Sequence, residues 1–188
     1  MALTFITGPV RSGKSRLALQ LARESGKRVT FVATAPRYPD DAEWGERIAR
    51  HRRERPSEWP TIETACEPRR ELEQLPASFT ESDLLLVDSL GTWVADELMR
   101  AHTDVVEERG RALALAFAGA RCSTIVVSEE TGWGIVPEYP SARAFRDALG
   151  RLNAEFARVA DAAYLVVSGY ALDLKRGLPV ELPPCHPE

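Results

Sequence analysis

The segment Gly8-Pro9-Val10-Arg11-Ser12-Gly13-Lys14-Ser15 matches G-x-x-x-x-G-K-[ST] in full and leaves the chain few ways to fold. A loop of this kind needs a strand to lead into it and a helix to lead away. Both flanks are present: residues 3–7 form an apolar run, and residues 16–24 have a helical pattern. Gly8 and Gly13 let backbone N–H groups turn toward a polyphosphate, and the new helix adds the positive end of its dipole. Lys14 brings a point charge for the outer phosphates, and the Ser15 hydroxyl is a Mg²⁺ ligand. A glycine turn capped by Ser15 is the plainer alternative. The strand before and the helix after favour a nucleoside triphosphate site.

Four more apolar runs, 28–33, 84–88, 124–128 and 163–168, are rich in Val, Ile and Leu without strict alternation. Such runs are expected of strands covered on both faces. Helical patterns at 15–25, 40–55, 89–100, 104–120 and 141–160 separate them, which predicts βαβ crossovers. The expected fold is α/β, P-loop NTPase-like of the RecA-like type, with a mostly parallel sheet and helices on both faces. Residues 76–82 read as a loop. A chain of 188 residues suits a single domain, here 1–176, followed by an extended proline-rich tail, 177–188.

A net charge of −4 gives no electrostatic case for nucleic acid or an anionic membrane. Lysine occurs only at Lys14, Lys27 and Lys175, so a lysine inside the loop is unlikely to be there by chance. Cys66, Cys122 and Cys185 are odd in number and widely spaced, which argues against a disulfide framework or a zinc site. No apolar run reaches membrane-spanning length, and Met1-Ala2 leads directly into the first strand. A cytoplasmic protein is expected.

Ligands of such sheets gather beyond the carboxyl ends of the strands. Leu84-Leu85-Leu86-Val87-Asp88 is an apolar strand ending in a carboxylate, able to hold Mg²⁺ opposite Ser15. N-capping of the next helix by Asp88 is the structural alternative. Within 40–55, helical spacing puts Arg47, His51 and Arg55 on one face, with Trp44 two turns before His51. Neighbouring cations favour the neutral, nucleophilic imidazole and stabilise phosphate charge. By composition alone, a solvated basic face with an incidental histidine is the simpler account.

Several separate blocks together resemble the bifunctional adenosylcobinamide kinase/adenosylcobinamide-phosphate guanylyltransferases of cobalamin biosynthesis. They begin with the P-loop, Val32-Ala33-Thr34-Ala35, Arg47-Ile48 through His51-Arg52 to Arg55-Pro56, and Trp59-Pro60-Thr61-Ile62-Glu63. They continue with Val87-Asp88-Ser89-Leu90 and Trp93, Gly132 through Glu138, Arg143 through Asp147, and Gly150-Arg151-Leu152-Asn153. The resemblance implies that a nucleoside triphosphate, ATP or GTP, phosphorylates the aminopropanol hydroxyl of adenosylcobinamide. GTP then guanylylates that phosphate through a covalent GMP–histidine, and the family's histidine matches His51. Nucleotide contacts carry over to Gly8 through Ser15, to Ala33, Thr34 and Ala35, to Arg52, Arg53, Glu54 and Arg55, and to Glu63 and Asp88. Ser15 and Asp88 are the candidate Mg²⁺ ligands, while within the family pattern Asp88 is equally a candidate to sense the guanylylated state or to help deprotonate the cobinamide hydroxyl. Glu63 suits guanine chemically, because a carboxylate accepts from both N1–H and the N2 amine. A homo-oligomer, a trimer in the family, is also implied.

The loop after the fourth strand, Glu130 to Gly134, is expected over the site, the alternative being a glycine turn with Trp133 packed beneath it. Arg143, Arg146 and Asn153 suggest ion pairs and caps on one helix, while Gly169 and Tyr170 are candidates to border the corrinoid. Pro9, Gly91-Thr92, Asp96 and Glu129 depart from the family's usual residues. The two extra acids are expected either to weaken polyphosphate binding or to recruit metal. A monofunctional P-loop kinase with a structural His51 is the main alternative, and an NTP-gated regulatory module is the other.

Overall fold

The computed structural model describes residues 2–66 and 68–177. Among them, seven strands form one sheet: β1 (Leu3–Gly8), β2 (Arg28–Ala33), β3 (Thr61–Glu63), β4 (Asp83–Asp88), β5 (Ser123–Glu129), β6 (Ala162–Val167) and β7 (Tyr170–Asp173). Their spatial order is β3-β2-β4-β5-β1-β6-β7. Every pairing is parallel except β6 with β7. The helices are α1 (Lys14–Glu24), α2 (Ala42–Glu54), α3 (Leu90–Leu98), α4 (Thr103–Ala118), α5 (Pro140–Val159) and the short α6 (Leu174–Gly177). None is long and apolar enough to cross a membrane.

The strands lack polar alternation because both faces are covered. In β4, Leu84 and Leu86 join the core under α1, while Leu85 and Val87 join the core under α3, α4 and α5. Phe5 and Val126 face the second core, and Ile6, Ile125 and Val127 face the first. Phe156 of α5 sits at the centre of the larger core. Its ring centroid lies 5.9 Å from Phe5 and 6.1 Å from Phe117.

Register decides what meets at the carboxyl edge. Gly8 pairs with Glu129, Asp88 with Val127, and Ala33 with both Asp88 and Glu63. The ends of β3, β2, β4, β5 and β1 therefore stand side by side. Four strand steps separate Glu63 from Gly8, roughly 19 Å at about 4.8 Å per step, the length scale of one extended nucleoside triphosphate.

The five expected strands are present with ends shifted by at most one residue. The strand expected over 163–168 stops at Val167, because Ser168 and Gly169 turn the chain with φ of 51° and 85°. That turn creates β7, which was not expected, nor was β3, only three residues after Pro60. Residues 76–78 are not loop: they complete the 3-10 turn Leu72–Ser78. The helix expected over 40–55 begins at Ala42, where Asp41 accepts from Trp44 N at 2.9 Å, and ends at Glu54. Arg55 is extended, as the residue before a proline prefers, so it leaves the helical face shared by Arg47 and His51. Gly177 closes α6, and the rest of the expected tail, with Cys185 and His186, lies outside the described residues.

Phe156→Ala should lower stability by about 3–5 kcal/mol, since a fully buried ring leaves a cavity its neighbours cannot close. Urea unfolding would register this as a lower midpoint with an unchanged slope.

Candidate active site

The phosphate loop is held by close packing. A Cβ on Gly8 would lie 2.3 Å from the Val166 carbonyl oxygen, so only glycine fits between β1 and β6 there. Gly13 has φ of 104°, a conformation L side chains rarely adopt, just before α1 begins at Lys14. Ser12 N donates to Pro9 O at 3.3 Å, and Gly169 N donates to Ser12 O at 3.0 Å, tying the loop to the β6–β7 turn. Lys14 Nζ rests 3.4 Å from Pro9 O, a long bond that a phosphate oxygen would readily replace. The Ser12 hydroxyl is buried without a hydrogen-bond partner among the described residues, a donor an anion would satisfy.

Asp88, at the end of β4, is where the separate segments converge. The Ser15 hydroxyl is within hydrogen-bonding reach of its carboxylate, and Lys14 and His51 are close enough to favour its charge. Burial and the Glu129 carboxylate oppose that charge and hold the Asp88 pKa above the ordinary range. Loop and histidine, far apart in sequence, thus both act electrostatically on one carboxylate. Arg55 adds a link: its guanidinium packs 4.3 Å over the Phe31 ring and is supported electrostatically by Glu63 and Asp88. Burial and the neighbouring Arg52 work against its charge.

His51 is exposed on the last turn of α2, with Nδ1 3.9 Å from Glu54 Oε2. Arg52 and Arg53 are exposed on the same turn, and Arg52 acts electrostatically on Glu63. Trp44 anchors the helix rather than flanking His51. Its indole Nε1 donates to Pro36 O at 2.7 Å, and its ring lies against Tyr38 and Arg47. Glu63 is half-buried at the end of β3, and Arg37 holds its carboxyl below the usual carboxylate range. Arg37 was not singled out in the sequence, where a lone loop arginine carries no signal.

Ala33 and Ala35 flank a Thr34 whose side chain serves the fold. Its hydroxyl donates to Ser89 O at 2.6 Å, accepts from Ser89 N at 2.9 Å and lies 2.6 Å from Thr92 Oγ1. This clamp fixes the turn that carries Asp88. Asn153 does the same for β5, bonding Ser128 Oγ at 2.5 Å and Glu129 O at 2.9 Å. Arg143 and Arg146 donate to the carbonyls of Pro137, Glu138, Gly134 and Ile135, so they pin the loop after β5 rather than forming ion pairs. In that loop Trp133 is 62% exposed and not packed beneath it. Tyr170, on β7, is also exposed.

Of the two extra acids, only Glu129 reaches the phosphate site. Asp96 is buried on the far part of α3, paired with Arg69 and Arg100. Glu129 Oε2 accepts from Gly91 N at 3.0 Å, and a Cβ on Gly91 would lie 2.1 Å from that oxygen. Two of the unusual positions are therefore one adaptation: the missing side chain makes room for the carboxylate that caps α3.

The family model for cobinamide kinase / cobinamide phosphate guanyltransferase matches residues 4–174. The chain belongs to this family. It is 36% identical over 170 residues to the bifunctional adenosylcobalamin biosynthesis protein CobP of Pseudomonas aeruginosa, covering 90% of this chain and 95% of that one. Against the bifunctional adenosylcobalamin biosynthesis protein CobU of Escherichia coli it is 32% identical over 187 residues, covering 92% and 99%. Among solved structures, a type III secretion ATPase from pathogenic bacteria superposes with a TM-score of 0.57 at 11% identity. That match covers 87% of this chain and half of the other, and it supports the RecA-like P-loop fold alone.

Gly91→Ala sets two effects against each other. Alanine gains up to about 1 kcal/mol in helix propensity, but losing the bond to the Glu129 side chain forfeits about 1.5–3 kcal/mol. The single change should therefore destabilise family-member protein of this sequence, whereas in a Glu129→Ala background it should be neutral or stabilising. A double-mutant cycle by thermal unfolding measures the difference.

Proposed function

We propose that the chain phosphorylates adenosylcobinamide with a nucleoside triphosphate and then converts adenosylcobinamide phosphate and GTP into adenosylcobinamide-GDP and pyrophosphate. One observation carries the reading of a single shared site: Asp88 is within electrostatic reach of both the P-loop Lys14 and His51. In the kinase step, loop N–H groups, Lys14 and the α1 N-terminus hold the outer phosphates while the substrate hydroxyl attacks the γ-phosphorus. The bond to the β–γ bridging oxygen breaks, the nucleoside diphosphate leaves and the hydroxyl proton is released to solvent. Ser15 and Asp88 are hard oxygen donors close enough to influence one another, which suits Mg²⁺. When bound, the ion would neutralise phosphate charge.

In the transferase step, the neutral His51 imidazole attacks the α-phosphorus of GTP. A P–N bond forms, the bond to the bridging oxygen breaks and pyrophosphate leaves. Nδ1 keeps its proton, and Glu54 is placed to balance the positive charge on the ring. A phosphate oxygen of the cobinamide substrate then attacks the same phosphorus and releases His51 unchanged. Covalent catalysis divides one transfer into two displacements. Arg52 and Arg55 supply positive charge beside this path, and Glu63 reads the guanine edge. A cytoplasmic setting belongs to the same proposal.

Incubation with GTP and Mg²⁺ should add one GMP to the intact mass, acid-labile and missing from His51→Ala. A folded, GTP-binding protein that takes up no GMP would leave a simple kinase as the better account. Sedimentation should give a homo-oligomer, the trimer implied by the family resemblance.

A further inference from the structure

The carboxylate assigned to guanine is already occupied. Arg37 Nη2 lies 2.6 Å from Glu63 Oε1 and 2.9 Å from Oε2, so one nitrogen bridges both oxygens at the open front of the group. Guanine would offer N1–H and an N2 hydrogen to those same two oxygens. The two sets of donors compete for one position.

We propose that Arg37 is a latch on Glu63, displaced by guanine but not by adenine, and that it thereby tunes the site's base selectivity. The proposal rests on the assignment of Glu63 as the guanine reader. Adenine turns an unprotonated N1 toward the carboxylate, which repels it, so ATP binds with the latch closed.

Three features of the structure support an exchange. The pair is accessible, with side-chain exposures of 60% for Arg37 and 31% for Glu63, and exposed ion pairs are weak enough to yield. The backbone around Arg37 is anchored, because Trp44 Nε1 donates to Pro36 O and its ring packs at a tilt against Tyr38. Opening is then a side-chain rotation rather than a loop movement. The released guanidinium also has somewhere to go: a cavity of about 550 Å³ adjoins it, with Cys66, Met99 and Asp96 among its lining residues.

The test is equilibrium binding of GTP, ITP and ATP, each with Mg²⁺, to the full chain and to Arg37→Ala, Arg37→Gln and Glu63→Gln. Ratios between nucleotides cancel the general loss of positive charge. Both Arg37 variants should raise the GTP-to-ATP affinity ratio by roughly two- to fivefold, with a smaller rise for ITP, which lacks the N2 amine. Glu63→Gln should abolish the preference for GTP and make Arg37→Ala without effect on the ratio. A ratio that falls or stays constant in the Arg37 variants, while Glu63→Gln still loses the preference, would overturn the latch and leave the base reader intact. A ratio unaffected by Glu63→Gln would remove the base reader and the latch together.

Discussion

Parallel pairing carries all the strand ends it joins to one edge, and this site depends on that constraint. Glu63, Ala33, Asp88, Glu129 and Gly8 end five neighbouring strands. No long-range search is needed to bring the Glu63 and Asp88 carboxylates and the P-loop into line, because the backbone ladder sets their order and spacing. Buried hydroxyl and amide contacts then refine the aim. Thr34 locks the turn after β4, and Asn153 locks the end of β5.

The edge concentrates negative charge beside the P-loop, which is electrostatically adverse for a polyphosphate. Burial, and then the neighbouring Glu129 carboxylate, oppose the ionisation of Asp88. Compensation comes from Lys14, from His51 and Arg55, and from Gly91 N, which takes one Glu129 oxygen. A divalent cation would lower the remaining cost further. Asp96 shows how position decides the matter: with Arg69 and Arg100 beside it, its charge is neutralised within the fold and does not act on the phosphates.

Most of the fold was legible because its signals are local. The P-loop needs only eight residues, and five strands announced themselves as apolar runs since both their faces are buried. β3 escaped notice because three residues bounded by Pro60 carry no periodicity, and β7 because its pairing follows from the turn at Ser168 and Gly169. Of the site, the phosphate loop could be read from the residues themselves. His51 was suggestive from its arginine neighbours, but only resemblance to a family outweighed the plainer reading for it and for Glu63, since a histidine among arginines and an acid at a strand end are ordinary surface features. The helical face expected for Arg47, His51 and Arg55 dissolved at Pro56, yet Arg55 still acts electrostatically with Asp88 from an extended backbone.

By itself the sequence determined the phosphate-binding loop, the buried parallel sheet and the family, because these depend on short motifs and on hydrophobic runs that any fold must bury. Tertiary structure decided the partners. That Arg37 covers Glu63, that Gly91 makes room for Glu129, and that Asp88 answers to both Lys14 and His51 follow from strand order and helix placement. Coulombic and hydrogen-bonding contacts act over a few ångströms, and only the folded chain sets which residues come that close.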